Sequence, residues 1–274
     1  MKLCSLKLPV PGMKQDSAAL TAYVLDPVSA APEKLRPAVI VIPGGGYHKR
    51  SNRENEPIVM RFLGMGCHAF ALEYHVAPHR FPTALQELAL SVAVIREHAE
   101  EWRVDPDKIL VCGFSAGGHL ACSLGTFWNR PVAYEAIGRT PEQIRPDGLI
   151  LCYPVITSGA YCHPGSIENL LGEAPEEGLK ALVSLENQVT PDMPPVFLWH
   201  TLTDETVPVE NSLLLASALR RAGVNFELHI YPSGGHGLSL ATPETGGDQE
   251  RLLEPCCQTW ISLVQSWIET KYKK

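Results

Sequence analysis

Val111-Cys112-Gly113-Phe114-Ser115-Ala116-Gly117-Gly118-His119-Leu120 is the stretch that decides the fold of this chain. The apolar run that leads into it predicts a buried strand, and the residues after Gly117 predict a helix. Between them lies a G-x-S-x-G motif, a sharp turn that exposes a serine hydroxyl between a strand and a helix. The helix N-terminus favours negative charge developing on a reacting group there. We therefore expect Ser115 to be a nucleophile.

The composition indicates a globular chain with enough apolar residues for a large core. It has 274 residues, is 45% apolar and carries a net charge of −7. Strand and helix patterns alternate throughout, so we expect a single domain over residues 1–274. The only basic cluster is the C-terminal Lys271-Tyr272-Lys273-Lys274, interpreted as a solvated helix end. Nucleic acid is therefore not an expected partner.

The chain shows no targeting or membrane segment. No apolar run reaches the length of a membrane span, and the N-terminus lacks the pattern of a signal peptide. The eight cysteines form no C-x-x-C pairs, and Cys112, Cys122 and Cys152 fall on positions expected to be buried. Such cysteines are typical of a reducing compartment rather than of disulfides or zinc. We expect a cytoplasmic protein without metal, cofactor or membrane partner.

The order of the elements predicts an α/β fold. Residues 3–10 and 20–25 are expected to form an antiparallel edge, and core strands are expected at residues 37–42, 68–74, 108–112, 147–155, 195–200 and 225–231. Helices are expected at residues 58–63, 83–102, 117–126, 211–222 and 251–271. The prediction is a mostly parallel central sheet with helices on both faces. The irregular stretch 157–191 leaves the sheet and returns, so it is a candidate lid or pocket wall.

Three glycines follow the first core strand directly, in Pro43-Gly44-Gly45-Gly46-Tyr47. Glycine lets a backbone approach a substrate closely. Beside a G-x-S-x-G turn, such a loop supplies amide donors for an oxyanion, together with the residue after the nucleophile. The expected oxyanion hole consists of the amides of Gly45, Gly46 and Ala116.

Two further residue types complete a catalytic constellation. Asp204 follows a predicted core strand, and His236 follows the last strand on a glycine-rich loop. The carboxyl ends of parallel strands share one edge of a sheet, so both residues are expected beside Ser115. The chain order nucleophile, acid, base is one of the known arrangements of such a triad.

Other residues compete for these roles. Glu205 neighbours Asp204, and His200 lies within a strand, whereas Asp192 precedes that strand and so lies at its wrong end. His119 is one helical turn after Ser115, from where its ring is poorly placed to reach the serine from the substrate side. We interpret His119 as a buried packing or hydrogen-bonding residue.

The residues after the glycine loop are expected to border the pocket. Tyr47, Arg50 and Arg53 are candidate substrate-binding residues because they continue that loop. Their spacing identifies no ligand, and a charged side chain in this stretch is also typical of a solvated surface.

The chain resembles the α/β-hydrolase superfamily and, within it, the acetyl xylan esterase/feruloyl esterase-like group related to the hormone-sensitive lipase type. The matching stretches are residues 44–47, 113–121, 195–208 and 234–237. The resemblance implies serine carboxylester hydrolysis without metal or cofactor, on acetylated sugars such as xylo-oligosaccharides or on other short acyl esters. Pro43 stands where lipase-type relatives carry histidine, and we expect no counterpart of their large N-terminal cap. Both departures favour an open site for a bulky polar alcohol.

Two other functions remain open. The same triad can cleave amides, as in an arylformamidase- or peptidase-like enzyme. The fold can also serve as a non-catalytic ligand-binding module. The expected partner is a small-molecule ester, and the sequence leaves open whether the chain forms a homo-oligomer.

Overall fold

The structure is a computed structural model that describes residues 1–11 and 18–272. Its centre is an eight-stranded sheet in the order β1-β2-β4-β3-β5-β6-β7-β8. The strands are β1 (Lys2–Leu8), β2 (Ala18–Val24), β3 (Arg36–Ile42), β4 (His68–Glu73), β5 (Val104–Phe114), β6 (Gly148–Cys152), β7 (Val196–Thr201) and β8 (Phe226–Tyr231).

The helices lie between and after these strands. They are α1 (Glu56–Gly64), α2 (Thr83–Glu97), α3 (Ala99–Trp102), α4 (Ala116–Phe127), α5 (Pro131–Tyr134), α6 (Pro141–Ile144), α7 (Pro164–Leu171), α8 (Glu177–Val183), α9 (Glu210–Ala222), α10 (Pro243–Gly246) and α11 (Trp260–Lys271). Within the described ranges, no helix combines the length and the apolar character needed to cross a membrane.

The sheet is mostly parallel, as the sequence predicts. β1 pairs antiparallel with β2, and β2 pairs antiparallel with β4. The pairs from β4 through β3, β5, β6 and β7 to β8 are all parallel. The carboxyl ends of β3, β5, β7 and β8 therefore lie at one edge, and each is followed by a loop that carries residues of the expected site.

Helices cover both faces of the sheet because the core strands are apolar on both sides. Along β3, Ile40 and Ile42 belong to the core shared with α2, α4 and α9. The alternate residues Val39 and Val41 belong to the core shared with α1 and α11. The sequence prediction of a sheet between two helical layers is confirmed.

Cysteines contribute to both cores. All eight are free, and Cys112, Cys122 and Cys152 are fully buried, as predicted. Burial raises the pKa of the Cys122 thiol well above its ordinary value. These thiols therefore act as small apolar packing residues.

Several boundaries differ from the sequence predictions. β5 begins at Val104 rather than after a turn, because Val104 pairs with Arg36 before the register shifts. The long helix predicted for residues 83–102 ends at Glu97, and α3 follows. The last helix begins at Trp260, because residues 250–259 form two short 3₁₀ turns around Pro255. Of the basic C-terminal tail, Lys273 and Lys274 lie outside the described residues.

Candidate active site

Ser115 occupies the strained turn between β5 and α4. Its backbone angles are φ 54° and ψ −118°, a conformation that is costly for any residue other than glycine. A Cβ atom on Gly113 would lie 2.1 Å from the carbonyl oxygen of Gly117, and one on Gly117 would lie 2.3 Å from that of Ile42. Both glycines are therefore needed for the close approach of the surrounding backbone.

Ser115, His236 and Asp204 form a continuous hydrogen-bonded chain. The Ser115 Oγ lies 2.7 Å from His236 Nε2, and His236 Nδ1 lies 2.6 Å from Asp204 Oδ2. A carboxylate only accepts hydrogen bonds, so His236 Nδ1 carries the proton and Nε2 accepts from the serine hydroxyl. The three loops after β5, β7 and β8 thus bring together residues that are distant in the sequence.

Asp204 is held in its ionised form. Its Oδ1 accepts hydrogen bonds from the amides of Thr206 at 3.0 Å and Val207 at 2.9 Å. Burial alone would raise the pKa of the Asp204 carboxyl, but hydrogen bonds from His200 and His236 outweigh burial and hold that pKa well below its ordinary value. The carboxylate therefore remains an acceptor for His236 at neutral pH.

The competing residues take no place in the chain from Ser115 to Asp204, although His200 Nε2 lies 3.4 Å from Asp204 Oδ2. His200 is fully buried, its Nδ1 lies 2.7 Å from Ser212 Oγ, and its Nε2 donates to the carbonyl of Val207 at 2.9 Å. Glu205 and Asp192 are exposed. None of the three contacts Ser115 or His236.

His119 is buried below the turn rather than beside the serine hydroxyl. Its Nδ1 accepts from the Tyr47 hydroxyl at 2.9 Å, and its Nε2 donates to the Val183 carbonyl at 3.0 Å. Burial lowers the pKa of His119 to about 4. The interpretation of His119 as a buried hydrogen-bonding residue is confirmed.

Each backbone carbonyl oxygen of the glycine loop, residues 43–47, accepts a hydrogen bond. The donors are Tyr74 Oη to Pro43 at 2.8 Å, Ser51 N to Gly44 at 2.9 Å, His48 N and Lys49 N to Gly45 at 3.1 Å each, Asn169 Nδ2 to Gly46 at 2.9 Å, and Ala77 N to Tyr47 at 2.8 Å. The Gly44 amide donates to Glu54 Oε2 at 2.9 Å. For the amides of Gly45, Gly46 and Ala116, no protein acceptor is found among the described residues.

A cavity of about 500 Å³ opens over the serine. Ser115, His236, Gly45 and Gly46 line it, so the glycine loop and the serine border the same space. The other lining residues come from several segments of the chain and are His48, Lys49, Ser51, Arg53 and Glu54, then His163, Gly165 and Asn169, and finally Thr206, Gly237 and Arg251. An acyl group bound there would meet the serine and the glycine amides together.

Two of the three expected substrate-binding residues do not line this cavity. Tyr47 is only 3% exposed and its hydroxyl is taken by His119, so it packs inside the core. Arg50 donates to the Tyr74 carbonyl at 2.6 Å and borders a separate surface cavity with Glu73 and His75. The structure does not place Tyr47 or Arg50 at this cavity, because the Tyr47 hydroxyl is held by His119 and the Arg50 guanidinium by the Tyr74 carbonyl.

Arg53 does line the cavity, but its guanidinium is engaged by the protein. Its Nε donates to the Thr245 carbonyl at 2.9 Å, and its Nη1 donates to the Gly237 carbonyl at 3.1 Å. Arg53 therefore ties down the loop that follows His236, and we assign it no substrate contact.

Several cavity residues were missed by the sequence reasoning. His163, Gly165 and Asn169 reach the cavity from the stretch 157–191, which is expected only as a whole to be a candidate lid or pocket wall, and Arg251 lines the cavity as well. Nothing in their local sequence marks them individually, because only the tertiary fold brings these segments to Ser115. Within the part of the chain that the structure describes, no cluster of three or more His, Cys, Asp or Glu side chains could hold a metal ion.

Comparison with known proteins points to one family. The sequence profile of the BD-FAE family matches residues 27–219. The chain is 40% identical over 220 residues to endo-1,4-beta-xylanase B of Butyrivibrio fibrisolvens, covering 76% of this chain and 33% of that protein. It is 32% identical over 212 residues to an acetylxylan esterase of Xylanibacter ruminicola, covering 75% of this chain and 42% of that protein. The chain thus spans less than half the length of these two curated relatives.

Solved structures match the chain over almost its full length. An acetyl ester-xyloside bifunctional hydrolase from Caldicellulosiruptor lactoaceticus superposes with a TM-score of 0.84 at 37% identity, covering 98% of this chain and 96% of that one. The carboxylesterase Cest-2923 from Lactobacillus plantarum superposes with a TM-score of 0.86 at 29% identity, covering 99% and 98%. Fold and sequence similarity therefore extend across the whole site.

Proposed function

Because this chain belongs to the BD-FAE family and has the α/β-hydrolase fold, we propose that it is a serine carboxylesterase that removes acetyl groups from sugars or xylo-oligosaccharides. The observation that carries the proposal is the hydrogen-bonded chain from Ser115 through His236 to Asp204, which opens into the cavity beside the glycine loop.

The first step forms an acyl-enzyme. The Ser115 Oγ attacks the ester carbonyl carbon while His236 Nε2 takes the hydroxyl proton. Asp204 holds the proton on Nδ1 and stabilises the imidazolium that results. When the tetrahedral intermediate collapses, the bond to the alcohol oxygen breaks and the imidazolium returns its proton to that oxygen.

The second step releases the acid. Water attacks the acyl carbon as His236 takes one of its protons, the bond to Ser115 Oγ breaks, and the proton passes to the serine. Acetate leaves, and the free enzyme is restored.

The amides of Gly45, Gly46 and Ala116 are the proposed oxyanion donors. Negative charge develops on the former carbonyl oxygen in both steps, and fixed donors without an internal partner stabilise it. The occupied carbonyls of the glycine loop support this role, because they hold the loop in place while its amides stay free.

The character of the cavity supports a polar alcohol moiety. Lys49, Arg251, His48 and His163 line the cavity. Glu54, the one acidic lining residue among those that the structure describes, is already hydrogen-bonded within the protein. Such donors suit the many acceptor oxygens of a saccharide. The names of the relatives, which include an acetylxylan esterase and an acetyl ester-xyloside hydrolase, point in the same direction.

The test compares acetate release from acetylated xylo-oligosaccharides with hydrolysis of p-nitrophenyl acetate. We expect both substrates to react, and Ser115→Ala to lose about three or more orders of magnitude in kcat on both. Ser262→Ala, an exposed serine on α11, is the matched control and should behave as wild type.

Three results would contradict parts of the proposal. Activity on the nitrophenyl ester alone would remove the saccharide substrate. Better turnover of an N-formyl aromatic amide than of any ester would favour the amide-hydrolase alternative. Full activity in Ser115→Ala would remove the proposed nucleophile.

A further inference from the structure

Glu54 is a buried carboxylate between the two loops of the proposed site. Only 3% of the residue is exposed, at the wall of the cavity. Its Oε2 accepts the amide of Gly44 at 2.9 Å, and its Oε1 accepts the Tyr153 hydroxyl at 2.7 Å. The Tyr153 hydroxyl oxygen in turn accepts the amide of Ser239 at 2.8 Å. This relay joins the glycine loop to the loop that follows His236.

The direction of every hydrogen bond in this relay is determined. The amides of Gly44 and Ser239 can only donate, so Tyr153 must direct its own proton to Glu54. Glu54 therefore receives a donor on each oxygen, which an ionised carboxylate can do and an amide cannot. In a glutamine at this position, the NH₂ group would face one of these two donors.

Arg53, the residue before Glu54, is also hydrogen-bonded to the loop that follows His236. The Arg53 guanidinium holds the carbonyls of Gly237 and Thr245, and the Arg53 carbonyl accepts the Ser239 hydroxyl at 2.6 Å. Gly237 directly follows His236. The Tyr153 ring packs edge-on against the His236 ring, with centroids 5.2 Å apart. Arg53 and Glu54 thus hold the loop that follows His236 at several points.

We propose that Glu54 is a positioning residue that keeps the oxyanion donors of the glycine loop in register with His236. The proposal rests on the esterase function above. The Gly44 amide precedes the two proposed donors, Gly45 and Gly46, so its bond to Glu54 sets the orientation of their peptides. The same carboxylate orients Tyr153 against His236. Because charge appears on the oxyanion and the imidazolium together, both loops must be in place in the same step.

Glu54 is not assigned a proton-transfer role, although it borders the cavity. Both of its oxygens are occupied by donors from the protein, and His236 already lies 2.7 Å from the serine hydroxyl. Its proposed effect reaches the reaction through Gly44 and Tyr153.

The test uses Glu54→Gln in the full chain, with Glu56→Gln as the matched control. Glu56 is exposed at the start of α1, two residues away. We expect Glu54→Gln to lower kcat on p-nitrophenyl acetate by about tenfold to a hundredfold while KM changes by no more than about twofold. Affinity for phenylboronic acid, which forms a tetrahedral adduct on a reactive serine, should fall with kcat/KM. Glu56→Gln should match wild type in all three measurements.

Tyr153→Phe provides the second variant, since it removes only the relay hydroxyl. We expect it to lower kcat and boronate affinity in the same direction, and the double variant to lose less than the product of the single losses, because both break one relay. Strictly multiplicative losses would overturn the proposal. Where Glu54→Gln does not fold, Tyr153→Phe alone provides the test, and unchanged kcat and boronate affinity in that variant would overturn the proposal.

The remaining outcomes separate a positioning role from a structural one. Unchanged kcat in folded Glu54→Gln overturns the proposal, as does a loss of kcat with unchanged boronate affinity. If Ser115→Ala is inactive while Glu54→Gln behaves as wild type, the esterase function stands and only the role of Glu54 falls. If Ser115→Ala stays active, the proposed function itself is wrong.

Discussion

At the scale of single residues, the hydrogen bonds that a side chain makes besides the one to its main partner determine its charge and its orientation. Asp204 has one oxygen on two backbone amides and the other on His236, so its charge and orientation are both determined. Its neighbour Glu205 carries the same charge but faces solvent. An acidic side chain at this place in the sequence is therefore not sufficient by itself. The contacts in the folded chain decide which of the two carboxylates can orient His236.

Replacing Asp204 by asparagine should test this directly. We expect Asp204→Asn to lower kcat by about 10³- to 10⁴-fold with little change in KM, because an amide can stabilise the wrong tautomer of His236. Initial rates on p-nitrophenyl acetate measure the effect. Glu205→Gln is the matched control, and a loss of similar size in that variant would mean that the acid has been misassigned.

At the scale of elements, the glycine loop after β3 is shaped by what it touches. A Cβ atom on Gly44 would lie 2.7 Å from the Phe114 carbonyl oxygen and 2.9 Å from Ser115 Cβ. The loop and the serine turn therefore pack too closely for any side chain between them. In contrast, a Cβ on Gly178 in α8 would meet nothing within 4 Å.

The contrast between these two glycines gives a prediction. We expect Gly44→Ala to push the loop away from Ser115 and to lower kcat by about a hundredfold, since a displacement of about 1 Å is enough for such a loss. Gly178→Ala should leave kcat unchanged and should not lower the melting temperature, because alanine is favoured in a helix. Steady-state kinetics and thermal denaturation of both variants measure these effects. Wild-type kcat in Gly44→Ala would show that the close packing of this loop is not required.

At the scale of the whole molecule, the parallel sheet brings the residues of the proposed site together. Strands β3, β5, β7 and β8 end at one edge, which brings Ser115 and His236, 121 positions apart, into hydrogen-bond contact. The two helical layers cover the sheet, and two histidines, His68 and His119, are fully buried in the fold. Burial lowers the pKa of both His68 and His119 to about 4.

These two histidines should make the stability of the fold depend on pH. Their ordinary pKa is 6.5, so below that pH the unfolded chain binds protons that the native state does not. Stability should therefore be highest above pH 6.5, decrease as the pH falls towards about 4, and stop decreasing from this cause below it. Urea denaturation across this range measures the slope. His119→Gln should flatten the slope, whereas the exposed His48→Gln should not, and equal slopes in all three proteins would refute the explanation.

Much of this could be predicted from the sequence, because the relevant signals are local. The apolar runs predict the core strands, and the G-x-S-x-G spacing predicts the turn at Ser115 between β5 and α4. The strand ends also predict that Asp204 and His236 come close to Ser115, and the structure brings them together. Periodicity and strand order carry this information without any knowledge of side-chain contacts.

The remainder depends on contacts between distant segments. Tyr47 is the last residue of the glycine loop, yet the fold buries its hydroxyl against His119. Glu54 resembles any charge in a polar stretch until the fold places it between Gly44 and Tyr153. His163 and Asn169 belong to a stretch whose path the sequence leaves open. In each case the direction of a side chain is set by packing rather than by its neighbours in the chain.

The hydrogen bond from Asn169 to the Gly46 carbonyl bears on how substrate range diversifies among related chains. The stretch 157–191 is a long connection between β6 and β7, and connections of this kind tolerate insertion and exchange far better than strands. The side-chain amide of Asn169 in α7 attaches this stretch to the backbone of the glycine loop below it. Segments of different length and chemistry can then be substituted above the same machinery, provided that each brings its own donor for that carbonyl.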